Sequence, residues 1–462
     1  MQLEDIKSPF DGAIIGQAPV ATIADVDKAI TKAVSGADLW RHTPAHIRSA
    51  VLMRAAALAD ERSEEIAHII SGENGKSLLE ARGEASRSGE IIRLAAFEGS
   101  QLYGSTLPLD ANKGTGLEKL GFTLRQPVGV VVAISPFNYP ALLVLHKIAP
   151  ALAVGNSVVL KPARTTPLTA LALAKCFTDA GLPEGVLQVL HGSGSELGNA
   201  LVTDSRVRKI SFTGSTATGT HISSVAGVKK LSLELGSSCP VVVLDDADIE
   251  YATDAIALGG YINAGQVCIS VQRVIVDEKV MANFLDALKP KVEAIKVGDP
   301  KNSDTKVGTL ITEAEAIRVE ASIKEAVNAG ATLLTGGQRN KTLISPAIVC
   351  DVDPMSAFAQ DELFGPAIAV SSATGIKQAI SLANSTVYGL GAGVFTKNVD
   401  VAIQSAREID AGIIHINWTP LWRADLMPYG GVKSSGVGKE GVRSTVSEMT
   451  EEKTIILHGR SW

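Results

Sequence analysis

The sequence predicts an α/β protein with two open parallel sheets, each covered by helices, and a small additional β segment. Short apolar runs, such as residues 128–134 and 241–244, are typical of strands buried on both faces. These runs alternate with segments whose apolar residues recur at three- and four-residue spacing, which indicates helices. A chain of 462 residues also exceeds one ordinary hydrophobic core, so we expect two or more domains.

The N-terminal part, residues 23–100, predicts helices only, and Thr22 is suited to cap the first of them. Glycines and prolines then interrupt the helical pattern, and residues 117–125 alternate as an exposed strand does. Residues 453–457 resemble an apolar edge strand, which we expect to pair with another subunit. In the two α/β regions we predict strands at residues 128–134, 157–160, 186–190, 209–212, 241–244 and 273–277, and helices at residues 141–152, 168–180, 198–203, 216–226, 280–294 and 313–329.

The composition argues against several classes of partner. The chain carries 43 Lys and Arg against 49 Asp and Glu, a net charge of −6 without a basic block, so we expect no nucleic acid. No apolar run reaches the length of a membrane span, and the first ten residues lack the apolar core of a signal peptide. The four cysteines are scattered without a CxxC pair, so we expect no metal site and a cytoplasmic location.

Residues 265–270, GQVCIS, contain the most reactive candidate side chain. Cys268 is surrounded by small residues, and glycine allows close approach of a substrate. A thiolate is the strongest side-chain nucleophile near neutral pH. A single cysteine in an intracellular protein is more often a small buried hydrophobe, so this hexapeptide alone leaves both interpretations open.

Other motifs lie where predicted strands end. Residues 211–219 turn from a strand into a helix, whose N-terminus suits a pyrophosphate or is an ordinary turn. Lys161 and Arg164 follow a buried strand and either face a nucleotide or lie in a solvated loop. Glu234 stands in an apolar stretch and is either a general base or half of an ion pair. Asn138, between two prolines, is either an oxyanion donor or a turn residue.

Seven motifs in a fixed order together favour the functional interpretation of these residues. SPFNYP, KPARTTP, FTGSTATG, LELG, GQVCIS, ELFGP and MPYGGVKSSG resemble the aldehyde dehydrogenase superfamily, and the resemblance runs from about Ser8 to the last strand. It implies two Rossmann-like domains: residues 1–106 and 128–236 for the cofactor, and residues 237–442 for catalysis. It also implies that residues 107–127 and 443–462 form bridging strands of a homodimer or homotetramer.

The resemblance assigns chemical roles. Cys268 is similar to the family's nucleophile, Glu234 to the base that activates the deacylating water, and Asn138 to the oxyanion donor. It implies oxidation of an aldehyde to a carboxylic acid with NAD or NADP, through a thiohemiacetal and a thioester. The residues that match the cofactor site are Ile134, Ser135, Pro136, Phe137, Lys161, Ala163, Arg164, Gly194, Phe212, Gly214, Ser215, Leu235, Glu362 and Phe364.

The sequence departs from the family pattern at two places. Arg164 stands where many NAD-preferring members have a glutamate for the ribose hydroxyls, and a guanidinium there suits a 2′-phosphate. We therefore expect NADP or NAD, with NADP slightly favoured. Ser237, Ser238 and Cys239 replace the residues usual after LELG, and the sequence does not indicate with what effect.

The substrate is not named by the sequence. Trp418 and Trp422 suit an apolar or aromatic aldehyde, or a subunit interface, whereas Arg423 suits a small acidic aldehyde. His146 and Arg423 resemble the branch that handles phosphonoacetaldehyde, although Val267 before the cysteine does not. Two other functions remain open: an acylating dehydrogenase that uses coenzyme A, against which Glu234 argues, and a non-catalytic nucleotide-binding homologue.

Overall fold

The computed structural model describes residues 2–459. Met1 of the predicted cofactor domain and residues 460–462 of the predicted bridging segment lie outside the described residues. The N-terminal region pairs a β-hairpin with five helices, as expected for residues 23–100. Its elements are β1 (Leu3–Lys7), β2 (Ile14–Pro19), α1 (Ile23–His42), α2 (Ala45–Glu61), α3 (Ser63–Asn74), α4 (Leu78–Ala85), α5 (Ser88–Ser100), β3 (Thr106–Leu107) and β4 (Lys119–Pro127).

Thr22 precedes α1 as predicted, and the Asp25 carboxylate accepts hydrogen bonds from its backbone N–H and its hydroxyl. The first parallel sheet then begins at Val130, two residues later than predicted, because Gly129 adopts a positive φ of 117°. The elements of this region are β5 (Val130–Ile134), α6 (Leu142–Ala153), β6 (Ser157–Lys161), α7 (Pro167–Asp179), β7 (Leu187–Val189), α8 (Gly194–Thr203), β8 (Val207–Thr213), α9 (Thr216–Val225) and β9 (Lys230–Glu234).

Helix α8 begins at Gly194, four residues before the predicted start at residue 198. Ser193 caps the helix at this point by accepting the N–H of Glu196. The first sheet has the order β9-β8-β5-β6-β7, with all these neighbours parallel. One of its faces packs on α2, α5, α6 and α7, and the other on α1, α8 and α9. Burial on both faces explains the continuous apolar runs of its strands.

The second half of the chain forms another parallel sheet. The elements of this region are β10 (Pro240–Val243), α10 (Ile249–Tyr261), β11 (Arg273–Asp277), α11 (Met281–Glu293), α12 (Glu313–Asn328), β12 (Thr332–Thr335), β13 (Arg339–Asn340), β14 (Leu343–Ile344), β15 (Ala347–Cys350), α13 (Ala357–Gln360), β16 (Ala367–Ala373), α14 (Gly375–Ala383), β17 (Gly391–Phe395), α15 (Val399–Glu408) and β18 (Ile413–Ile416). Seven of these strands form the sheet, in the order β12-β15-β16-β11-β10-β17-β18, and only β12 among them runs antiparallel to its neighbour. Of these strands, only β10 and β11 were predicted.

The last elements return to the first half of the chain. They are β19 (Gly436–Val437), α16 (Val442–Glu448) and β20 (Thr450–His458). β19 adds to β9, while β20 pairs with all nine residues of β4 in a sheet of order β20-β4-β3. The strand predicted at residues 453–457 is confirmed, but its first partner lies within the chain. Residues 443–448, predicted as part of a bridging strand, are helical.

Candidate active site

A cleft of about 1030 Å³ lies at the carboxyl ends of β5, β6 and β8, and residues that follow the second sheet's strands and helices close its other side. The order of the first sheet reverses between β5 and β8, which is where open α/β sheets bind ligands. The residues predicted for the cofactor all line this cleft, together with Asn138 and Cys268: Ile134, Ser135, Pro136, Phe137, Lys161, Ala163, Arg164, Gly194, Phe212, Gly214, Ser215, Leu235, Glu362 and Phe364.

Several lining residues were missed by the sequence reasoning. Val202 and Ile222 reach the cleft from α8 and α9, and Ile311, Thr312 and Arg318 from the second half of the chain. The two apolar residues belong to amphipathic helices, and their spacing alone cannot separate a core contact from a cleft wall. The last three follow no motif, so no local signal identified them.

Cys268 follows a sharply bent turn. Asn263 and Ala264 adopt left-handed φ values of 49° and 54°, and Gly265 has a φ of 71°. A Cβ on Gly265 would lie 2.1 Å from the carbonyl oxygen of Gly365. Only glycine fits this close approach, so the small residue ahead of the cysteine is required by the backbone path.

The Cys268 thiol lies at the inner end of the cleft. Its Sγ is 3.0 Å from the Tyr429 hydroxyl, and either atom can donate the hydrogen bond. Burial raises the pKa of the Cys268 thiol to about 12, although the Tyr429 hydroxyl lowers it. The thiol is therefore neutral at pH 7 in this state of the protein.

Asn138 lies beside the cysteine and is held at both ends. Its side-chain Nδ2 donates to the carbonyl of Gln266 at 2.9 Å. Its backbone carbonyl oxygen accepts hydrogen bonds from Nζ of Lys76 at 2.7 Å and from Nδ2 of Asn263 at 3.1 Å. Lys76 is buried and pairs with the buried Glu84 at 2.6 Å. This positioning by Lys76 was not predicted, because no local motif joins residues 62 positions apart.

Glu234 ends β9 with both carboxylate oxygens buried and without a hydrogen-bond partner in the described chain. Burial, and then the nearby Glu440, raise the pKa of Glu234 well above its ordinary value. Burial acts against ionisation of Glu440 too, but Lys147 and Arg423 hold the pKa of Glu440 below its ordinary value. Glu234 is thus the carboxyl of the pair that carries a proton.

Glu362 and Phe364 line the cleft opposite β5. Oε1 of Glu362 accepts the backbone N–H of Ser237 at 2.9 Å, and burial raises the pKa of Glu362 to about 7. The ring of Phe364 meets Phe137 edge-on at 5.8 Å. The unusual Cys239 is buried, and its Sγ contacts the carbonyl oxygen of Cys268 at 3.4 Å.

Lys161 and Arg164 line the outer part of the cleft. Burial, with Arg164 nearby, lowers the pKa of Lys161 to about 8. Arg164 is not free: Nε and Nη2 donate to Oε1 of Glu4 at 2.9 and 2.7 Å. His191 places Nε2 2.8 Å from the other oxygen of Glu4. This arrangement was not predicted, because Glu4 lies on β1, far from Arg164 in sequence.

Arg423 and His146, which were predicted to contact the substrate, do not line the cleft. The guanidinium of Arg423 stacks over the Tyr429 ring at 4.0 Å, and its side chain is 11% exposed. Its Nε and Nη2 make no hydrogen bond among the described residues, but Nη2 forms an ion pair with Oε2 of Glu440 at 3.8 Å. His146 places Nε2 3.2 Å from Asp425, and burial, followed by Arg423, lowers the pKa of His146 to about 4.

The two tryptophans lie elsewhere. Trp418 packs against Tyr251, with ring centroids 5.5 Å apart, at the edge of the second sheet's core. Trp422 is 57% exposed and meets His415 edge-on. Neither lines the cleft, so their contact with a substrate stays a prediction.

The aldehyde dehydrogenase family model matches residues 2–455. The chain belongs to the aldehyde dehydrogenase family. Among its relatives, 3-sulfolactaldehyde dehydrogenase of Priestia aryabhattai is 44% identical over 440 residues, 95% of this chain and 91% of the relative. Solved members of the family share the fold of this chain.

The NADP-dependent glyceraldehyde-3-phosphate dehydrogenase from Bacillus halodurans C-125, complexed with NADP, has a TM-score of 0.97 and 38% identity. The match covers 99% of this chain and 96% of that one. Aldehyde dehydrogenase 21 from Physcomitrella patens, in complex with the reaction product succinate, has a TM-score of 0.96 and 35% identity, covering 99% and 95% of the two chains.

These findings confirm the predicted fold, the predicted oxidoreductase class of aldehyde dehydrogenase and the predicted use of NAD or NADP. The roles of individual residues in this aldehyde dehydrogenase stay predictions. No helix in residues 2–459 is long and apolar enough to cross a membrane.

Proposed function

We propose that this aldehyde dehydrogenase oxidises a small anionic aldehyde to a carboxylic acid, through a thioester on Cys268 that water hydrolyses. The observation that carries the proposal is the position of Cys268 at the inner end of the nucleotide-sized cleft, with Asn138 beside it. Cys268 and Asn138 line one cleft. Burial raises the pKa of the Cys268 thiol, and Glu234 is near enough for its charge to raise that pKa further. A nucleophile, an oxyanion donor and a buried carboxyl are the groups that acyl chemistry needs.

The cleft suits a dinucleotide. Ser215 caps α9 by accepting the N–H of Thr218, so a helix N-terminus and Gly214 face the cleft where a pyrophosphate would be held. Lys161 and Arg164 lie where the adenosine ribose would be, and Glu362 where the nicotinamide ribose would be. When bound, NADP or NAD supplies the hydride acceptor. Arg164 supports NADP as the slightly favoured form.

The chain's own groups carry the first half-reaction. The Cys268 thiol loses its proton to solvent and attacks the aldehyde carbon as a thiolate, which requires the pKa of the thiol to fall from about 12 when the site is filled. The amide nitrogen of Asn138 has two hydrogens, and Gln266 accepts only one of them. The second, with the backbone N–H of Cys268, stabilises the oxyanion by roughly 3 kcal/mol per donor.

Glu234 carries the second half-reaction. Glu234 acts as a base after it loses the proton that its raised pKa retains, and its oxygens have no hydrogen-bond partner among the described residues that a water would have to displace. Ionised Glu234 takes a proton from water, the hydroxide adds to the thioester carbon, and Cys268 leaves as the thiolate. The carboxylic acid that forms, and then Glu234, lose their protons to solvent, so the product is a carboxylate.

The substrate class rests on Arg423. Nε and Nη2 of its guanidinium make no hydrogen bond among the described residues, and its ion-pair partner Glu440 is 3.8 Å away and also binds Lys147. A guanidinium of this kind, one tyrosine ring away from Cys268, is complementary to a carboxylate, phosphate or sulfonate. The relatives described above carry the names of 3-sulfolactaldehyde and glyceraldehyde-3-phosphate dehydrogenases, and a third holds succinate. All three compounds are anions, in agreement with this proposal.

We propose the same division of the chain as the sequence predicts, with residues 1–106 and 128–236 as the cofactor domain and residues 237–442 as the catalytic domain. The sheet of β20, β4 and β3 supports a bridging role for residues 107–127 and 443–462 in a homodimer or homotetramer. Four unpaired cysteines support a reducing, cytoplasmic location.

The test is a panel of aldehydes assayed with NADP and with NAD, in the wild type and in Cys268→Ala. We expect reduced cofactor and free acid in equal amounts, and no turnover in the variant, because the thiolate forms the bond to the substrate. Comparable turnover by Cys268→Ala would show that the nucleophile is another residue. Formation of acyl-CoA when coenzyme A is added would instead indicate the acylating reaction.

Arg423→Met tests the substrate class. We expect KM for succinic semialdehyde to rise about tenfold to a hundredfold, because a charge-assisted hydrogen bond of roughly 1.5–3 kcal/mol is lost. KM for butanal, a neutral aldehyde of the same length, should not rise. Equal effects on both aldehydes would show that Arg423 only supports Tyr429.

A further inference from the structure

A carboxylate that belongs to none of the sequence motifs contacts Arg164 at the outer end of the cleft. Glu4 on β1 binds the guanidinium of Arg164 through Nε and Nη2, at 2.9 and 2.7 Å. Arg164 itself lines the cleft and is more than half exposed. The Nε–Nη2 edge of the guanidinium therefore faces Glu4, and Nη1 remains for other partners.

The fold holds Glu4 in this place. β1 pairs with β2, and the chain after β2 forms a bridge between Val20 and His191, next to the end of β7. His191 is buried, and its Nε2 lies 2.8 Å from Oε2 of Glu4. Burial lowers the pKa of His191, so the ring is neutral at pH 7 and adds no charge. Glu4 is thus fixed from two sides.

The charges around this end of the cleft have opposite signs. Arg164 and Lys161 are cations at neutral pH, and Glu4 is an anion because its hydrogen bond with Arg164 lowers the pKa of its carboxyl. A phosphate at Arg164 would lie close to the Glu4 carboxylate, since both bind one guanidinium. Like charges at that separation repel, whereas an uncharged ribose hydroxyl is not opposed.

We propose that Glu4 is a positioning residue that limits the preference of this enzyme for NADP, because it competes with the 2′-phosphate for Arg164. The inference rests on the cofactor site proposed above. The ribose-binding carboxylate missing at position 164 is replaced, in part, by a carboxylate that arrives from the N-terminal hairpin. Cofactor preference is then set by the Glu4–Arg164 pair and not by Arg164 alone.

Glu4→Gln tests this inference, since it removes the charge and keeps an oxygen that can accept from Arg164. The probes are adenosine 2′,5′-bisphosphate and 5′-AMP, titrated calorimetrically at low ionic strength. We expect the affinity for the bisphosphate to rise roughly threefold to tenfold, the size of a part-exposed charge interaction, with no rise for AMP. The ratio of kcat/KM for NADP and NAD should shift by the same factor.

Asp5→Asn is the matched control, because Asp5 lies on the same strand and bonds only to Gln17 on the outer side. It makes the same charge change and should leave both affinities unchanged. In the Arg164→Ala background, Glu4→Gln should have no effect on the ratio of the two affinities. An unchanged or lower ratio after Glu4→Gln, or an equal rise after Asp5→Asn, would overturn the role of Glu4. Failure of both nucleotides to bind the wild type would instead overturn the cofactor site.

Discussion

Two buried carboxyls, Glu234 and Glu440, lie close together behind Cys268, and their pKa values move in opposite directions. Lys147 donates to Glu440 and holds it ionised, while burial and that negative charge keep Glu234 protonated. Two carboxyls of one chemical type are thereby given different tasks by their neighbours. Glu440 is a fixed charge, and Glu234 exchanges a proton.

Glu234→Gln should slow hydrolysis of the thioester far more than its formation, because the amide keeps the shape but cannot accept a proton. Stopped-flow should show a burst of reduced cofactor followed by a steady state at least tenfold slower than in the wild type. The wild-type rate should rise with pH as Glu234 loses its proton, and this rise should disappear in the variant.

Glu73→Gln is a control of the same chemical type. Burial raises the pKa of Glu73 to about 8, but its oxygens bind the backbone of α7 at Leu168 and Thr169, away from the cysteine. It should show no burst. A Glu234→Gln enzyme with an unchanged steady-state rate would contradict the general-base role.

Arg164→Glu should shift cofactor preference towards NAD. A second carboxylate beside Glu4 repels the 2′-phosphate and accepts the 2′-hydroxyl, so the ratio of kcat/KM for NADP and NAD should fall by about tenfold or more. Arg41→Glu makes the same charge change outside the cleft and should leave the ratio unchanged. A wild type that prefers NAD tenfold would contradict the prediction.

Among single residues, the sequence predicted a position at the cleft where a residue belongs to a motif at the end of a strand, although the roles of these residues stay predictions. Ser135, Lys161 and Gly214 are of this kind, and the parallel sheet brings their strand ends to one edge. Glu4 belongs to no motif, and its position at the site depends on tertiary packing that no local pattern encodes. Tyr429 lies in the motif MPYGGVKSSG, but the motif did not indicate its contact with Cys268.

Among the elements, the turn between α10 and Cys268 has a strained backbone. Three successive residues, Asn263, Ala264 and Gly265, have positive φ, and two of them carry a Cβ. Such strain is retained where surrounding contacts fix it, often at functional sites. Here Glu80 accepts the N–H of Asn263, and the side chain of Gln266 binds three backbone groups. The sequence marked the glycine but gave no sign of the two residues before it.

Gly265→Ala should displace Cys268 and reduce kcat at least tenfold, because the new Cβ would lie 2.1 Å from the Gly365 carbonyl and the backbone must shift. Gly227→Ala is the matched control: its φ is 65°, and no atom lies within 4 Å of the added Cβ. It should cost roughly 1 kcal/mol of stability through φ alone and leave kcat unchanged. Equal losses of kcat in both variants would show that backbone strain, and not the contact with Gly365, causes the loss of activity.

For the whole molecule, the sheet of β20, β4 and β3 leaves an apolar stripe open. Leu457 pairs with Leu120, and both are nearly half exposed, as is Leu124 on the same face of β4. An exposed apolar strip on the face of a small sheet, next to the open edge of β20, is expected to be covered by a second copy of the chain.

Leu124→Glu combined with Leu457→Glu should therefore shift the protein to a smaller assembly, measured by size-exclusion chromatography with light scattering. Val228→Glu changes a fully exposed apolar residue outside this sheet and should not alter the mass. If the wild type is a monomer, or if the double variant keeps the wild-type mass, the bridging role of this sheet is contradicted.

Because β4 and β20 are far apart in the sequence, β4 is synthesised long before the strand with which it pairs. Arg125 and Thr450, which contact each other in the finished sheet, are 325 residues apart. At roughly 5–20 residues per second, a ribosome needs on the order of 15–65 seconds between the two. During that interval β4 has only the two residues of β3 beside it, and Leu120 and Leu124 lack their partner strand. The nascent chain thus carries exposed leucines on β4 until β20 has been synthesised, and keeping them apart from neighbouring chains on a polysome is a task for chaperones.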